Sequence, residues 1–369
     1  MNKRLFKLHR WAAIAAAVPL LVICATGSAL VFKHEIDAWL MHDTVRVTPS
    51  AAGRQPMETL LAVLNQALPQ HEVTGWAWFA DDPQRADVVY VIEHGTKEWQ
   101  YTLLNPYNGD LLSQIVSTES YLTDWLLSLH YTLLVGEVGM LISGLFAILL
   151  CLLGITGIWL HRRFWKGPFK LRWSSGGVVA YSDLHKLVGI VGAPVLLILG
   201  VTGAWWNIEH GLEEIAEHWG GEAHPAMESR LYAKHISLDD VIAQSEAEMP
   251  GFEATYLRLP WEAGIPIAVF GRVPTGNPLS SDYSSTVLFD SDTGDLSQVL
   301  DIRQTGLVPR IEDTFRALHF GTFGGLTTRI LWAVLGSAPL ALVITGLWLW
   351  WHRRSKRLAK GLPETRNSH

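Results

Sequence analysis

The chain is short of charge and of cysteine. Asp, Glu, Lys and Arg make up only 17% of its 369 residues, where an ordinary soluble protein carries about a quarter. The deficit is concentrated: residues 11–32, 138–160, 187–208 and 330–351 contain no Asp, Glu, Lys, Arg or His. Both cysteines, Cys24 and Cys151, fall inside these runs, which excludes a disulfide or a thiolate metal site from the segments between them. HExxH, G-x-S-x-G, Walker and Rossmann fingerprints are missing, so hydrolytic zinc, serine-nucleophile and nucleotide chemistries find no support. No basic stripe or nucleic-acid motif is present, which speaks against nucleic acid as a partner.

What is present points to the lipid bilayer. Each apolar run is 22 or 23 residues long, enough at about 1.5 Å per residue to cross a hydrocarbon core of about 30 Å. The first run follows Lys3, Arg4, Lys7 and Arg10, as a signal peptide would, but it exceeds the roughly 7–15 residues of such a peptide's apolar core. Four retained transmembrane helices are therefore expected. Basic residues gather before the first run, between the second and third (Arg162, Arg163, Lys166, Lys170, Arg172, Lys186) and after the fourth (Arg353, Arg354, Lys356, Arg357, Lys360). The opposite flanks carry Glu35, Asp37, Glu137, Glu209, Glu213 and Glu214. The positive-inside rule then places both termini and the 2–3 loop in the cytoplasm and two long segments, about 33–137 and 209–329, on the other side.

The sequence also reads twice. Leu8-His9-Arg10 opens the first run and Leu184-His185-Lys186 the third. Each His is followed after 17 residues by Thr-Gly (Thr26-Gly27, Thr202-Gly203) and after 25 by another His (His34, His210), a register held across 176 residues. The returns to the membrane match as well: Asp124 through His130 precedes Gly136, Gly139 and Gly144, and Asp313 through His319 precedes Gly321, Gly324 and Gly325. Thr156-Gly157 and Thr345-Gly346 then lead to His161-Arg162-Arg163 and His352-Arg353-Arg354. Both copies begin and end in the cytoplasm, so the expected repeat is parallel, with its pseudo-twofold axis along the membrane normal.

Between the helices the composition turns to mixed α and β. Leucines at helical spacing over 57–68 are followed by strand-like runs at 73–79, 88–94 and 99–104, closed by an Asn-Gly turn at Asn108-Gly109. The second segment repeats the order, with an N-cap at Ser237, a stop at Pro250-Gly251, strand-like runs at 254–259, 265–270 and 284–290, and a turn at Asp292-Thr293-Gly294-Asp295. The expected fold class is an α-helical membrane protein: four transmembrane helices in two parallel helix–module–helix repeats, with two α+β modules outside. The boundaries are 1–34 for the N-terminus and first helix, 35–130 for the first module and 131–163 for the second helix. The loop is 164–184, the third helix 185–210, the second module 211–319, the fourth helix 320–354 and the tail 355–369.

Eight of the fifteen histidines sit at helix ends in four repeat-related pairs. A twofold axis brings equivalent residues together at one depth, and neutral imidazole is a good axial ligand for haem iron in helical bundles. His9 with His185 and His130 with His319 are the primary candidates, since each follows Leu and precedes small residues. The secondary candidates are His34 with His210, beside acidic residues, and His161 with His352, which also read as interfacial anchors next to Trp and Arg. His9 and His34 lie 25 residues apart, about 37 Å along a straight helix, which is too far for quick direct electron transfer. The glycines after His130 and His319 offer a bend that would lower an outer site; a mixed pairing of His34 with His319 stays open. Seventeen tryptophans include helix-end residues such as Trp159, Trp205 and Trp348, and external ones at Trp76, Trp78, Trp99 and Trp261.

The repeated Leu-His-Arg/Lys openings, the Thr-Gly-x-Trp endings and the segment His319-Phe320-Gly321-Thr322-Phe323-Gly324-Gly325 resemble the PepSY-associated transmembrane family. The external turns Gly109-Asp110 and Gly294-Asp295 are similar to those of PepSY domains. This resemblance covers nearly the full chain. It implies PepSY-like periplasmic modules, a bacterial inner-membrane location and a link to iron acquisition, since some members resemble ferric-siderophore reductases with b-type haems. On that footing the expected cofactor is two haems b, the substrate a ferric siderophore, and the electron donor a cytoplasmic reductase or quinol. A membrane-anchored module that binds a partner without redox chemistry, or assists siderophore import, is the rival expectation.

Overall fold

The computed structural model describes residues 3–162, 171–173, 176–220 and 226–359; Arg163, Lys166, Lys170 and Lys360 of the orientation argument lie outside them. In chain order the elements are α1 (Lys3–Leu30), α2 (Lys33–Leu40), α3 (His42–Val45), α4 (Met57–Ala67), β1 (His71–Ala77), β2 (Asp87–Glu93), β3 (Trp99–Leu104), β4 (Val116–Ser117) and α5 (Leu122–Tyr131). Then come α6 (Gly136–His161), α7 (Gly177–Gly220), α8 (Leu238–Glu248), β5 (Glu253–Arg258), β6 (Ile267–Arg272), β7 (Ser285–Phe289), β8 (Leu296–Leu300), α9 (Leu307–Phe320), α10 (Gly325–Gly336) and α11 (Ala338–Ala359). They form two units, one of Met1–Val31, Leu126–Glu217 and Leu318–His369, the other of Phe32–Trp125 and His218–Ala317.

The first unit is helical. Four stretches are long and apolar enough to cross a membrane: Lys3–Leu30, Gly136–His161, Gly177–Ala216 and Thr322–Lys356. The third helix outruns its apolar run at both ends and keeps Pro194 in its interior. The fourth is interrupted at Ser337, with Pro339 in the first turn of α11 where its missing amide costs nothing. Helix α1 packs against α6, α10 and α11 around Ala16, Leu20, Cys24, Leu150, Leu196 and Ala338. Small residues set the spacing elsewhere: a Cβ on Gly200 would meet Cys151 Sγ at 2.5 Å and Ala147 O at 3.0 Å, so α6 and α7 approach backbone to side chain.

The second unit is one antiparallel sheet in the order β4-β3-β2-β1-β5-β6-β7-β8, a sequence of strands that reads alike from either end. Six strands match the expected runs within two or three residues. The short outer strands β4 and β8 were not expected. The larger difference is that the two external segments share a single sheet: β1 pairs β5 through Gly75↔Arg258, Trp76↔Leu257 and Ala77↔Tyr256. Their cores merge accordingly, with Leu60, Leu64, Trp76, Val89 and Leu104 packed with Leu238, Leu257, Ile267, Val287 and Phe289. Both expected turns form with left-handed glycines, Gly109 at φ 81° and Gly294 at φ 79°.

The two helices on the core side cap each other. Asp239 accepts from the Met57 and Glu58 amides at 2.8 and 3.1 Å, while Glu58 accepts from the Leu238 amide at 2.6 Å. Carboxylates at helix N-termini satisfy otherwise orphaned donors. Asp239→Ala removes acceptors from α4 and should destabilise this unit by about 1 kcal/mol. A thermal melt of Asp239→Ala that superimposes on wild type would remove the capping role.

Candidate functional site

The sequence pattern repeats one device four times in the helical unit: a histidine on one helix is held through Nδ1 by a Thr-Gly on another. His9 Nδ1 lies 2.7 Å from Thr156 Oγ1, and His185 Nδ1 lies 2.8 Å from Thr345 Oγ1. His319 Nδ1 lies 2.7 Å from Thr202 Oγ1. His130 Nδ1 donates to Ile23 O at 2.8 Å, with Thr26 Oγ1 at 3.3 Å. Each threonine hydroxyl also bonds back to its own helix, as Thr26 does to Val22 O and Thr345 to Ala341 O, so its position is fixed before the imidazole arrives.

The glycine of each motif makes room for the ring. A Cβ on Gly27 would come 2.6 Å from His130 Cε1, and one on Gly203 or Gly346 would come 3.4 Å from Cε1 of His319 or His185. For Gly157 the distance to His9 Cε1 is 3.6 Å. Thr-Gly at these places is thus a histidine holder, where the sequence shows only a register mark of the repeat. The clamps are reciprocal within each half. Helix α1 gives His9 to α6 while receiving His130, and α7 gives His185 to α11 while receiving His319.

With Nδ1 occupied, Nε2 is the nitrogen left for a ligand or metal. His130 and His319 stand with ring centroids 6.3 Å apart and planes at 63°. His319 also has Trp206 at 5.3 Å and Phe320 at 5.7 Å. At the other end, His185 lies within electrostatic range of His9, His161 and Lys186. His161 therefore joins the inner histidines, where the sequence paired it with His352 and also read both as interfacial anchors. His352 stacks on Trp348 at 5.0 Å and 11°, and Trp348 on Tyr181 at 4.4 Å. The Nε2 atom of His352 is buried without a partner. His34 is exposed and meets Phe79 edge-on at 6.1 Å, and His210 is exposed and bonds the carbonyl of Trp206 on its own helix. His34 and His210 make no ring pair with each other among the described residues, and the ring neighbours of His319 do not include His34.

The backbone bends after each outer histidine, as the glycines foretold. After His130 the chain passes through Leu133 (φ 53°), Leu134 (φ 61°) and Gly136 (φ 61°) before α6 begins; after His319 it passes through Gly321 (φ 67°) and Gly325 (φ 64°). Two consecutive left-handed leucines cost of order 1 kcal/mol or more each and persist only where the surroundings hold them. A Cβ on Gly139 would collide with Thr132 O, so α6 restarts pressed against the turn.

Residues 6–353 match the family described as the PepSY-associated TM region. The chain belongs to that family. An uncharacterized protein of Pseudomonas aeruginosa is 30% identical over 252 residues, which cover 63% of this chain and 64% of that relative. The chain is a helical membrane protein with a PepSY-like sheet domain.

In this PepSY-associated protein the histidine-bearing helices α5 and α9 each also carry an acid hydrogen-bonded within the sheet unit, Asp124 buried and Asp313 half-buried. Asp124 accepts from Lys33 Nζ at 2.7 Å and from the Tyr101 hydroxyl at 2.5 Å. Asp313 accepts from Ser280 Oγ at 2.9 Å and the Ser281 amide at 3.1 Å. Elsewhere in that unit a cleft of about 570 Å³ is lined by Arg54, Met57 and Trp78 from the first external segment and Asp239, Ile242 and Glu246 from the second. Two of its polar groups are already engaged, Arg54 with Asp87 and Asp239 with α4.

Proposed function

We propose that the chain is an electron-transfer protein of the bacterial inner membrane, holding two b-type haems and reducing Fe(III) carried by a periplasmic siderophore. The observation that carries this reading is the outer pair, His130 and His319, with ring centroids 6.3 Å apart and both Nδ1 atoms engaged. An imidazole nitrogen meets a metal ion at about 2 Å, so two rings facing one ion stand about 6 Å between centres. The 63° between planes would not oppose such a role, since either ring could present Nε2 at that angle. The inner set fits a second site: His9 and His185 are held alike, and beside His9 the Nε of Arg10 is buried without an acceptor, a donor suited to a haem propionate.

Haem, when bound, supplies one-electron Fe(II)/Fe(III) chemistry. The chain's residues do the rest. Thr26, Thr156, Thr202 and Thr345 fix ring orientation, Gly27 and Gly203 give the rings space, and the apolar helices keep water from the site. Reduction would loosen the siderophore complex, because hard oxygen donors prefer the more highly charged ion. Lys and Arg at the helix ends support cytoplasmic termini and a periplasmic sheet unit, with a cytoplasmic reductase or quinol as donor. The palindromic strand order and the paired clamps support a parallel repeat about an axis along the membrane normal.

Thr202→Val removes the hydroxyl at His319 and should weaken haem retention about 10–100-fold, read as faster haem loss to apomyoglobin. Thr202→Ser, which keeps the hydroxyl, should restore it. The function itself is tested by mixing dithionite-reduced protein anaerobically with ferric siderophores. Haem reoxidation with matching Fe(II) capture by a ferrous chelator is expected. A reduced protein that stays reduced with hydroxamate, catecholate and mixed-donor complexes alike contradicts the proposal.

A further inference from the structure

One face of the sheet, away from the helices α4 and α8, is built from aromatic rings and unpaired arginines. Tyr90 and Tyr256 stand at its centre with ring centroids 6.5 Å apart; Trp99 lies 6.3 Å from Tyr90, and Phe270 and Tyr283 lie 5.8 and 6.4 Å from Tyr256. The strand register makes this possible: Gly75 faces both Tyr90 and Arg258 across the ladder, and a Cβ there would collide with the Tyr256 hydroxyl. Glycine weakens a strand interior, so the dent it leaves is a cost borne for the arrangement of rings above it.

The arginines on this face differ from most others of the sheet unit, Arg310 being held by the carbonyls of Ile302 and Arg303. Arg46, Arg54, Arg230, Arg272 and Arg303 each lie within ion-pair distance of an Asp or Glu. Arg258 and Arg85 have no such partner among the described residues. Arg258 lies between Trp261 at 5.5 Å and Phe270 at 5.4 Å, and its Nε is buried without an acceptor. Arg85 lies over Phe79 at 3.3 Å, with Asp82 and Asp37 acting on it only from beyond ion-pair distance. Arg316 stands over Tyr283 at 4.5 Å. Burial draws the Arg85 guanidinium down to about 10 and lowers that of Arg258, so both remain cations at neutral pH while short of compensating charge. Burial also raises the Tyr90 and Tyr256 phenols, which keeps both as donors.

Rings stacked on guanidinium groups leave the in-plane N–H donors free for oxygen anions. A buried donor with no acceptor is destabilising until something supplies one. We infer that this face, through Arg258, Arg85, Tyr90 and Tyr256, binds an anionic ferric chelate whose iron is held by aryl oxygens of the catecholate type. Flat aryl groups stack among the rings, and the negative charge of the chelate meets the unpaired arginines. A neutral or cationic hydroxamate complex offers neither. The inference rests on the reductase reading for its choice of iron chelates, and it narrows that reading to one class.

The test is a calorimetric titration of the full-length detergent-purified chain with gallium(III) complexes, which cannot be reduced and so report binding alone. The trianionic complex of a tripodal tris-catecholate should bind about tenfold or more tighter than the uncharged tris-hydroxamate complex. Its affinity should fall as salt is raised, since screening shortens from about 10 Å at 0.1 M to about 3 Å at 1 M. Arg258→Gln should weaken the catecholate complex about tenfold or more, while Arg272→Gln, already tied to Asp81 and Glu253, should not. If Arg258→Gln fails to fold, the wild-type preference and its salt dependence decide the matter. Equal or tighter hydroxamate binding, or an Arg258→Gln variant with wild-type affinity, overturns the inference and leaves the reductase reading intact. Tight gallium–catecholate binding with no reduction of the iron complex does the reverse.

Discussion

Alanine at His130 and alanine at His319 should each leave the chain one haem short, and the same haem should be missing in both. The reason is geometric. The two ring centroids stand 6.3 Å apart with planes at 63°, each ring with Nδ1 committed to α1 or α7, so a metal held between them would depend on both Nε2 atoms. Losing one ligand from a bis-imidazole site leaves a single bond to hold the macrocycle. The double variant should therefore lose no more than either single one, because the residues act as a unit. His9→Ala and His185→Ala should remove the other haem and leave the outer one in place. Gly27→Ala is a sharper probe, since its methyl would arrive 2.6 Å from His130 Cε1. That is closer than real Cβ contacts, so the ring must turn away and the outer haem should follow it out. Loss of different haems from His130→Ala and His319→Ala, counted by pyridine haemochrome, would break the pairing.

The second large effect lies in the sheet unit. Arg54 donates to Asp87 at 3.0 and 2.5 Å, and Trp76 Nε1 donates to the same carboxylate at 2.8 Å. Asp87 is fully buried. Removing one partner of a buried ion pair costs about 3–5 kcal/mol, because the other charge is left uncompensated. Arg54 is itself 36% exposed, so for Arg54→Ala the low end, about 3 kcal/mol, applies. In a unit of this size that lowers the melting temperature by roughly 6–12 °C. The pH dependence follows from the direction of the Asp87 shift. Burial lifts its carboxyl above the ordinary range despite Arg54 and Trp76. The folded state therefore holds the proton more tightly, and stability falls as pH rises from the unfolded-state pKa, about 3.9, through the raised folded one. Without Arg54 the folded value moves higher still, so Arg54→Ala should recover stability on mild acidification. An Arg54→Ala melt within 2 °C of wild type at neutral pH would remove the pair from the account.

Much of this architecture was legible in the sequence, because hydropathy and register are local signals. The four apolar runs became the four membrane-length stretches, and the six principal strands fell where Val, Tyr and Trp alternate. The junction of β1 with β5 was not legible. Two edge strands joining leave no mark in either segment, since backbone hydrogen bonds carry no side-chain signature. Strands β4 and β8 are short or polar, and neither has an alternating apolar face to announce it. The approach of His130 to His319 was readable from the repeat, yet the threonines that hold the histidines were not, because Thr156 is 147 residues from His9 and Thr345 is 160 from His185. A signal did exist: each apolar run carries one Thr-Gly, four holders for four histidines. The unpaired arginines Arg85 and Arg258 were invisible for a related reason. Being unpaired depends on which carboxylates other strands bring near, and no linear pattern encodes that.

The central claim is that histidines meeting across the helical unit hold haem. The most direct measurement is the visible absorption spectrum of the purified full-length chain, oxidised and dithionite-reduced, with haem counted per polypeptide. The account predicts a Soret band that sharpens on reduction, resolved α and β bands of a low-spin bis-imidazole centre, and two haems per chain. A preparation from haem-replete cells that folds, carries its sheet unit intact and shows no Soret band in either state contradicts it.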